Sequence, residues 1–262
     1  MNKKGLLLSI AFWLVFLAII AYLGMTVAQG GAVAGVKGKW QVDFLAKNYL
    51  EAEQQLLIYD SAVYNAAVKV ALEMASNGGF MVEDPSPCGK TSNGVSLWYK
   101  NEQLCLPPID KAAEKTKSLL QQKIKSRTYN NLEYDKTIFR GEGEKETITS
   151  DIGAYTFPTS FFIDLGYSYD EYSQLTGEAW QILLQCSGKE ELQPCLDENK
   201  PSHWKYTSCT NPQFNQENGV VVFCIESPSR YVLPVGEELF RPKELVTYKA
   251  GLDLSAVVIP IQ

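Results

Sequence analysis

The segment from Gly5 to Ala28 constrains this chain more than any other feature of its sequence. Its twenty-four residues, GLLLSIAFWLVFLAIIAYLGMTVA, hold no charged side chain and only two polar ones, Ser9 and Thr26. A helix of this length reaches about 36 Å, which exceeds the roughly 30 Å hydrocarbon core of a bilayer. The sequence therefore predicts a transmembrane helix, and the lipid bilayer is an expected partner through residues 5–28.

A cleaved secretory signal peptide is the alternative to an anchor. Lys3 and Lys4 precede the apolar run, and Thr26-Val27-Ala28 offers a cleavage site. The apolar run of a signal peptide is shorter, about 7 to 15 residues, so we favour an uncleaved single-pass anchor in the cell membrane. Positive charge before the helix indicates a cytoplasmic N-terminus with the C-terminal domain outside.

The sequence divides into three parts around this segment. Residues 1–28 are expected to form the cytoplasmic tip and anchor, 29–39 (QGGAVAGVKGK) a glycine-rich linker, and 40–262 an exterior domain. The exterior part is long enough for one domain or for two lobes that divide near residue 166. Lys3 and Lys4 are two of the 24 basic residues, which leaves 22 against 30 acidic ones, a charge of −8. An acidic domain disfavours nucleic acid as a partner.

All six cysteines follow the anchor, and an even number in an exported domain indicates disulfide bonds. Six cysteines allow fifteen pairings, among which closeness in sequence favours sequential pairs. A zinc site is disfavoured because there is no Cys-x-x-Cys motif and only one histidine. The predicted pairs are Cys88–Cys105, Cys186–Cys195 and Cys209–Cys224.

A long amphipathic helix is predicted from residue 40 to Asn77. Apolar residues recur at steps of three and four, the pattern of a heptad stripe, and Gly78-Gly79 then ends the helix. Alanines in the second half indicate close packing inside the domain, whereas the first half is a candidate stalk. A helix within its own core is favoured over an intermolecular coiled coil. The stripe comprises Val42, Leu45, Tyr49, Ala52, Leu56, Tyr59, Val63, Ala66 and Val70.

The rest of the chain mixes helices and strands in irregular order, which is typical of an α+β fold with a mainly antiparallel sheet. Helices are predicted from Ile109 to Ile124 and from Asp170 to Cys186. Strands are predicted at 95–100, 103–106, 203–208, 220–226, 231–233 and 245–261, with further strands between 133 and 165 around a turn at 141–144.

Aromatic residues are concentrated between Tyr155 and Tyr172, beside Asp164, Asp170 and Glu171. Rings beside carboxylates are one form of platform for a sugar or a peptide, but aromatic residues in strands more often fill a core. The segment is therefore expected either to bind a protein or glycan partner outside the cell or to be buried in the hydrophobic core of the domain. The candidate binding surface comprises Tyr155, Phe157, Tyr167, Tyr169 and Tyr172.

The sequence indicates no catalytic, cofactor-binding or metal-binding residues. It contains no Walker loop, dinucleotide fingerprint, calcium loop or Gly-x-Ser-x-Gly elbow. Ser202 and Lys205 match Ser-x-x-Lys, but Lys90-Thr91-Ser92, the nearest match to the partner motif of that class, precedes it and so gives the wrong order. A pair of carboxylates remains as a possible hydrolase site, for which the candidates are Asp164 or Glu178 with Glu226 or Asp253.

Several short pieces together are similar to uncharacterised single-pass membrane proteins of archaeal type. These are the anchor, the helix end at Asn77-Gly78-Gly79, the helix end from Trp180 to Cys186, and the terminal strand Tyr248-Lys249-Ala250-Gly251-Leu252-Asp253-Leu254. The resemblance implies the membrane topology described above and carries no activity with it.

The start of the chain also resembles a type IV prepilin. Lys3-Lys4-Gly5 before an apolar helix is similar to the prepilin processing site, where cleavage follows the glycine. The resemblance implies an amphipathic helix, a β domain with a disulfide, and polymerisation through the helix. The chain departs from the pattern at Ile10, where many bacterial pilins carry glutamate, and at Gly30-Gly31, which interrupts the helix.

Three functions follow from the sequence. A membrane-anchored exterior module for binding or envelope assembly is favoured, and an enzyme is disfavoured. The alternatives are a pilin-like subunit and a carboxylate-based extracellular hydrolase.

Overall fold

A computed structural model describes residues 16–22, 25, 42, 44–123, 129–150, 153–205, 207–208, 211–214, 216–217, 219–234 and 243–255. These residues form an α+β structure with mainly antiparallel sheets, which confirms the predicted fold class. The chain divides into two compact units. The first is Met1–Leu56 with Lys145–Phe157, and the second is Leu57–Glu144 with Pro158–Gln262.

Most of the predicted anchor and all of the predicted linker lie outside the described residues. Residues 16–22 and 25 are the described part of the anchor, and they are helical. Within the described part of the chain, no helix combines the length and the apolar character that crossing a membrane requires.

Beyond the helical residues of the anchor, the described residues contain four α-helices and fifteen strands, preceded by a π-helical segment at Leu45–Tyr49. The helices are α1 (Leu50–Ser76), α2 (Lys111–Lys123), α3 (Glu171–Cys186) and α4 (Leu192–Asn199). The strands are β1 (Leu97–Lys100), β2 (Gln103–Leu104), β3 (Tyr129–Asp135), β4 (Ile138–Gly143), β5 (Lys145–Ser150), β6 (Gly153–Pro158), β7 (Phe161–Asp164), β8 (Trp204–Lys205), β9 (Thr207–Ser208), β10 (Asn211–Phe214), β11 (Gln216–Glu217), β12 (Val220–Glu226), β13 (Val232–Pro234), β14 (Lys243–Leu245) and β15 (Thr247–Asp253).

In the first unit, the hairpin of β5 and β6 packs on the segment that precedes α1. The buried Asn48 side chain donates from Nδ2 to the carbonyl oxygen of Gly153 at 3.1 Å. Tyr155 meets the rings of Phe44 and Tyr49 edge to face, with centroids 6.5 and 5.8 Å apart. The predicted stalk therefore carries a small packed hairpin.

The predicted apolar stripe of α1 becomes fully buried in its second half. Val63, Ala66 and Val70 are all 0% exposed. The helix ends where predicted, because Gly78 and Gly79 adopt φ angles of +68° and +83° and the Gly79 N–H donates to the Met74 carbonyl at 2.6 Å.

Gly78 is also a point of close approach at the end of α1. The indole Nε1 of Trp98 donates to the Gly78 carbonyl at 2.6 Å, and a Cβ at Gly78 would lie only 2.9 Å from that nitrogen. Because Gly78 has no side chain, it can adopt the left-handed conformation that ends the helix and also leave room for Trp98 of β1.

The largest sheet has the order β11–β12–β15–β1–β2, with β8 also paired to β12. β12 and β15 pair antiparallel over seven residues, whereas β1 lies parallel to β15. The sequence did not predict this parallel pair. Buried side chains of α1, β1, β12, β15 and α3 belong to one continuous core.

The predicted final strand, 245–261, is wrong as one element. The structure divides its described part into β14 and β15, and residues 256–262 lie outside the described residues. β14 pairs with β13, while β15 joins the central sheet.

The predicted turn at Gly141 to Glu144 is also wrong. β3 and β4 are joined by a turn at Lys136-Thr137, and Gly141 and Gly143 lie within β4. Both glycines are required by packing, because added Cβ atoms would lie 2.5 Å from the Phe161 ring and 2.2 Å from the Thr159 hydroxyl. Glycine in a strand interior often marks such a close approach.

Two of the predicted disulfides are confirmed. Cys88 bonds to Cys105 and Cys186 bonds to Cys195, and no described cysteine is a free thiol. Cys224 is also disulfide-bonded, and Cys209 lies outside the described residues. The second bond connects α3 to α4, a helix that the sequence did not predict.

We expect Val70→Asp to lower the free energy of unfolding by on the order of 3 to 5 kcal/mol, because it buries an unpaired carboxylate. Leu57→Asp places the same residue in the same helix at a side chain that is 66% exposed, and it should cost less than about 1 kcal/mol. Urea unfolding of the full chain in detergent, followed by circular dichroism, measures both. Equal losses would contradict the assignment of a buried face to this half of α1.

Candidate functional site

Three residues of the predicted aromatic surface are buried. Tyr167 and Tyr169 are 0% exposed and Tyr172 is 1% exposed. The rings pack edge to face, with 5.0 Å between the centroids of Tyr167 and Tyr169 and 5.0 Å between those of Tyr172 and Tyr248. A ligand does not reach these rings in this conformation, so burial supports the core interpretation for all three.

The other two predicted surface residues lie on β6 in the first unit. Tyr155 stacks on Phe157 with centroids 6.0 Å apart and an interplanar angle of 17°. Phe157 is buried and Tyr155 is half-buried. These two rings therefore contribute to the packing of the hairpin. Because the other three rings are buried, the five predicted residues are not one exposed platform.

A buried carboxylate, Glu171, lies at the start of α3 among these tyrosines. Its Oε1 accepts from the Ser229 N–H at 2.8 Å, and both of its oxygens lie 3.0 Å from the Ser227 hydroxyl. Oε2 also accepts from the Tyr248 hydroxyl. The Ser227 oxygen in turn accepts from the Tyr231 N–H at 3.0 Å. We call Glu171, Ser227, Ser229, Tyr231 and Tyr248 the Glu171 cluster.

The Glu171 cluster joins three segments that are distant in sequence. These are the first turn of α3, the turn after β12, and β15. Each donor to the carboxylate is neutral, and a buried carboxylate needs such donors because it has left water. The cluster has the geometry of a structural joint.

Burial raises the pKa of several tyrosines around this joint. The pKa values of Tyr134, Tyr167, Tyr169, Tyr172 and Tyr248 all lie above the usual value of 10, because desolvation disfavours the phenolate. The hydroxyl of Tyr134 donates to the Tyr167 carbonyl at 2.8 Å. These side chains therefore act as neutral hydroxyls at physiological pH.

A second polar cluster surrounds Glu178, one of the predicted carboxylates. Its Oε2 lies 2.8 Å from Nε2 of His203, the single histidine of the chain, and accepts from the Trp204 indole at 2.6 Å. Its Oε1 accepts from the Gln174 amide at 2.9 Å. Oε2 thus holds the start of β8 against α3, whereas Oε1 bonds within α3.

The remaining predicted carboxylates also have partners in the protein. Glu226 forms an ion pair with Lys205, the lysine of the Ser-x-x-Lys match. Asp253 accepts from the Ser255 N–H at 3.1 Å, and Asp164 accepts from the Gly166 N–H at 2.9 Å. Among the described residues, no group of three or more His, Cys, Asp or Glu side chains could hold a metal ion.

The clearest exposed arrangement lies on the three-stranded sheet β3–β4–β7. Its register sets Glu133 opposite Arg140, and Arg140 opposite Phe162. The next row sets Asp135 opposite Ile138, and Ile138 opposite Asp164. Since side chains alternate along a strand, these rows share one side of the sheet. We call this side the acidic face; it comprises Glu133, Asp135, Ile138, Arg140, Glu142, Phe162 and Asp164.

The other side of the same sheet is apolar and faces the core. Phe139 is 0% exposed and Phe161 is 5% exposed, whereas Phe162, the next residue, is 68% exposed. The alternation of buried and exposed residues therefore places one large aromatic ring in solvent beside charged side chains.

The acidic face carries four carboxylates and one guanidinium, a formal charge of −3. Arg140 lies between two of the carboxylates, with Nε 3.1 Å from Glu133 and Nη2 3.7 Å from Asp135. Hydrogen bonds from the Gly166 N–H and from the Thr137 side chain lower the pKa of Asp164, which is thus ionised at neutral pH. Lys136 lies in the turn at the end of the face rather than in its rows.

A cleft of about 370 Å³ adjoins the acidic face at β3. It lies between α2 and β3 and shares Glu133 with the face; the other lining residues are Ala113, Glu114, Lys117, Asn131 and Leu132. Its volume is within the range of small-molecule sites, about 300 to 1,000 Å³.

Phe161 and Phe162 lie within the aromatic segment between Tyr155 and Tyr172, where the sequence prediction did not distinguish them. The sequence signal that could separate the two residues is the alternation of side chains along a strand, which places adjacent residues on opposite sides of the sheet. It does not say which side faces water until the partner strand is known.

Comparison with known proteins gives no match: no protein family, no curated protein and no solved structure is similar to this chain.

We expect Glu171→Ala to destabilise the protein by on the order of 3 kcal/mol or more, because three donors, two of them buried, lose their acceptor. Glu198→Ala, at an exposed glutamate of α4, is the matched control and should change stability by less than about 0.5 kcal/mol. Urea unfolding of the full chain measures both. A loss at Glu171 no larger than that of the control would contradict a structural role for the cluster.

We expect the protein to lose stability above about pH 10. The unfolded chain releases tyrosine protons near its ordinary pKa of about 10, while the buried tyrosines keep theirs because their pKa values are raised. The stabilisation is therefore complete below pH 10 and declines as the pH rises through the folded-state values. An alkaline titration followed by tyrosinate absorbance should show a group that ionises only on unfolding. Smooth ionisation of all fourteen tyrosines in the folded state would contradict this.

Proposed function

We propose that this chain is a single-pass membrane-anchored protein whose exported domain acts by binding a partner outside the cell. The observation that carries the proposal is the pair of disulfides Cys88–Cys105 and Cys186–Cys195 in a chain whose residues 5–28 are a 24-residue apolar segment. Disulfides persist in oxidising compartments and are rare in the cytosol. The apolar segment supplies both the export signal and the anchor.

The acidic face supports binding as the mode of action. An exposed aromatic ring beside fixed charges is a common feature of recognition surfaces. The four carboxylates of the hydrolase alternative each hold a partner within the protein, and the contacts of Glu178 with His203 and Trp204 are sufficient to explain that residue. We therefore place binding ahead of hydrolysis.

A pilin-like subunit is the second candidate. It is favoured by Lys3-Lys4-Gly5 before the apolar segment and by a 27-residue helix, α1, that enters the core of the following domain. N-terminal sequencing of the mature protein separates the two candidates, because a pilin begins directly after Gly5 and an anchored module keeps residues 1–5.

We expect the protein to stay in the membrane fraction after treatment with carbonate and with high salt, and to lose its domain to protease added to intact cells. A transmembrane helix withstands both extractions, whereas a peripheral protein is released. Protease on inside-out vesicles is the matched control and should leave the domain intact. Release of the uncut chain by salt, or digestion only in inside-out vesicles, would contradict the proposal.

The same samples test whether the six cysteines are oxidised. A thiol-reactive label should add nothing to unfolded, unreduced protein and should mark all six cysteines after reduction. Labelling of three or more cysteines without reduction would contradict export into an oxidising compartment.

A further inference from the structure

The acidic face offers two different kinds of contact side by side. Phe162 exposes 68% of its surface, and it lies directly across the ladder from Arg140. Glu133, Asp135, Glu142 and Asp164 are all exposed on the same side of the sheet. An apolar anchor with one guanidinium and an excess of carboxylates around it is suited to a partner that is apolar at one point and carries cations around it.

The charges of the face are only partly balanced within the protein. Arg140 pairs with Glu133 and Asp135, at 3.1 and 3.7 Å. Among the described residues, Glu142 and Asp164 form no ion pair. The Asp164 carboxylate is held by neutral donors, the N–H of Gly166 and the side chain of Thr137. Two carboxylates next to Phe162 and Arg140 are thus available to a cation from outside.

We propose that the acidic face binds a cationic segment of a partner protein, in which an apolar side chain lies among lysine or arginine residues. The apolar side chain would pack on the Phe162 ring, and the cations would pair with Glu142 and Asp164. This inference rests on the proposed function, because it names the class of partner for an exported binding domain.

The chemistry of the face favours this partner over others. A neutral glycan gains nothing from a charge of −3, and an anionic bilayer or nucleic acid would be repelled. A divalent metal ion needs several converging carboxylates, and the described residues contain no such group. The adjoining cleft, lined in part by Glu133, provides room for a further side chain of the partner.

The test uses the purified full chain in a neutral detergent and a fluorescent, arginine-rich peptide that contains one tryptophan. We expect binding that weakens as salt is added, because exposed charges are screened. Phe162→Ser and Glu142→Lys should each weaken the binding about fivefold or more. The same peptide with glutamate in place of arginine should not bind.

Two matched variants control for composition and net charge. Leu184→Ser removes a 42% exposed apolar residue of α3, and Glu198→Lys makes the same charge change as Glu142→Lys on an exposed site of α4. Both should weaken binding less than about twofold. Circular dichroism checks that all four variants stay folded.

Equal losses in the face variants and their controls would overturn the inference, because binding would then follow net charge alone. Absence of peptide binding, or preferential binding of neutral oligosaccharides in the same assay, would also overturn it. The protease and extraction results are independent of this assay. An exported protein that does not bind the peptide refutes the inference alone, and a peptide-binding protein that is not exported refutes the proposed function alone.

Discussion

The burial of the Glu171 carboxylate is the constraint on which the second unit depends most. A carboxylate that leaves water must find several donors, and here the donors come from the turn after β12 and from β15. Their positions fix how α3 approaches the central sheet. The surrounding tyrosines belong to the same continuous core as α1 and the central strands, so a displacement at the joint would disturb the packing of all these elements.

The second constraint is that the backbone lies very close to an aromatic ring at two positions, and each of these positions is a glycine. Gly78 lets the end of α1 lie against Trp98, and Gly141 lets β4 lie against Phe161. In each case a side chain would clash with an aromatic ring. The first contact sets the position of α1 against β1, and the second sets the core side of the three-stranded sheet. The acidic face is the opposite side of that sheet, and its composition is therefore a consequence of how the core is packed.

In proposing a binding function we connect these observations to the oxidising environment that the disulfides and the apolar segment imply. Hydrogen bonds and ion pairs within the domain account for Glu178, Glu226 and Asp253. Phe162 and Glu142 are exposed on one side of a regular sheet, beside the Asp164 carboxylate that accepts from the Gly166 N–H. Exposed residues without a packing role are the natural candidates for recognition.

Sequence alone determined those features that depend on local pattern. The spacing of apolar residues and the Asn77-Gly78-Gly79 end predicted α1, and the cysteine spacing predicted the bonds Cys88–Cys105 and Cys186–Cys195. The strand predicted at 220–226 matches β12, and alternation within 245–261 predicted β15. Each of these signals is contained within a short stretch of chain. The transmembrane anchor is a prediction of the same kind, although most of it lies outside the described residues.

Tertiary structure decided what depends on distant partners. Gly141 and Gly143 read as a turn in the sequence, but the rings and hydroxyls of later residues require them inside β4. Tyr167, Tyr169 and Tyr172 read as a candidate surface, but the core closes over them. The parallel pairing of β1 with β15 and the exposure of Phe162 have the same origin. Strand order and register join residues far apart in sequence, and only the folded chain specifies which side of each strand faces water.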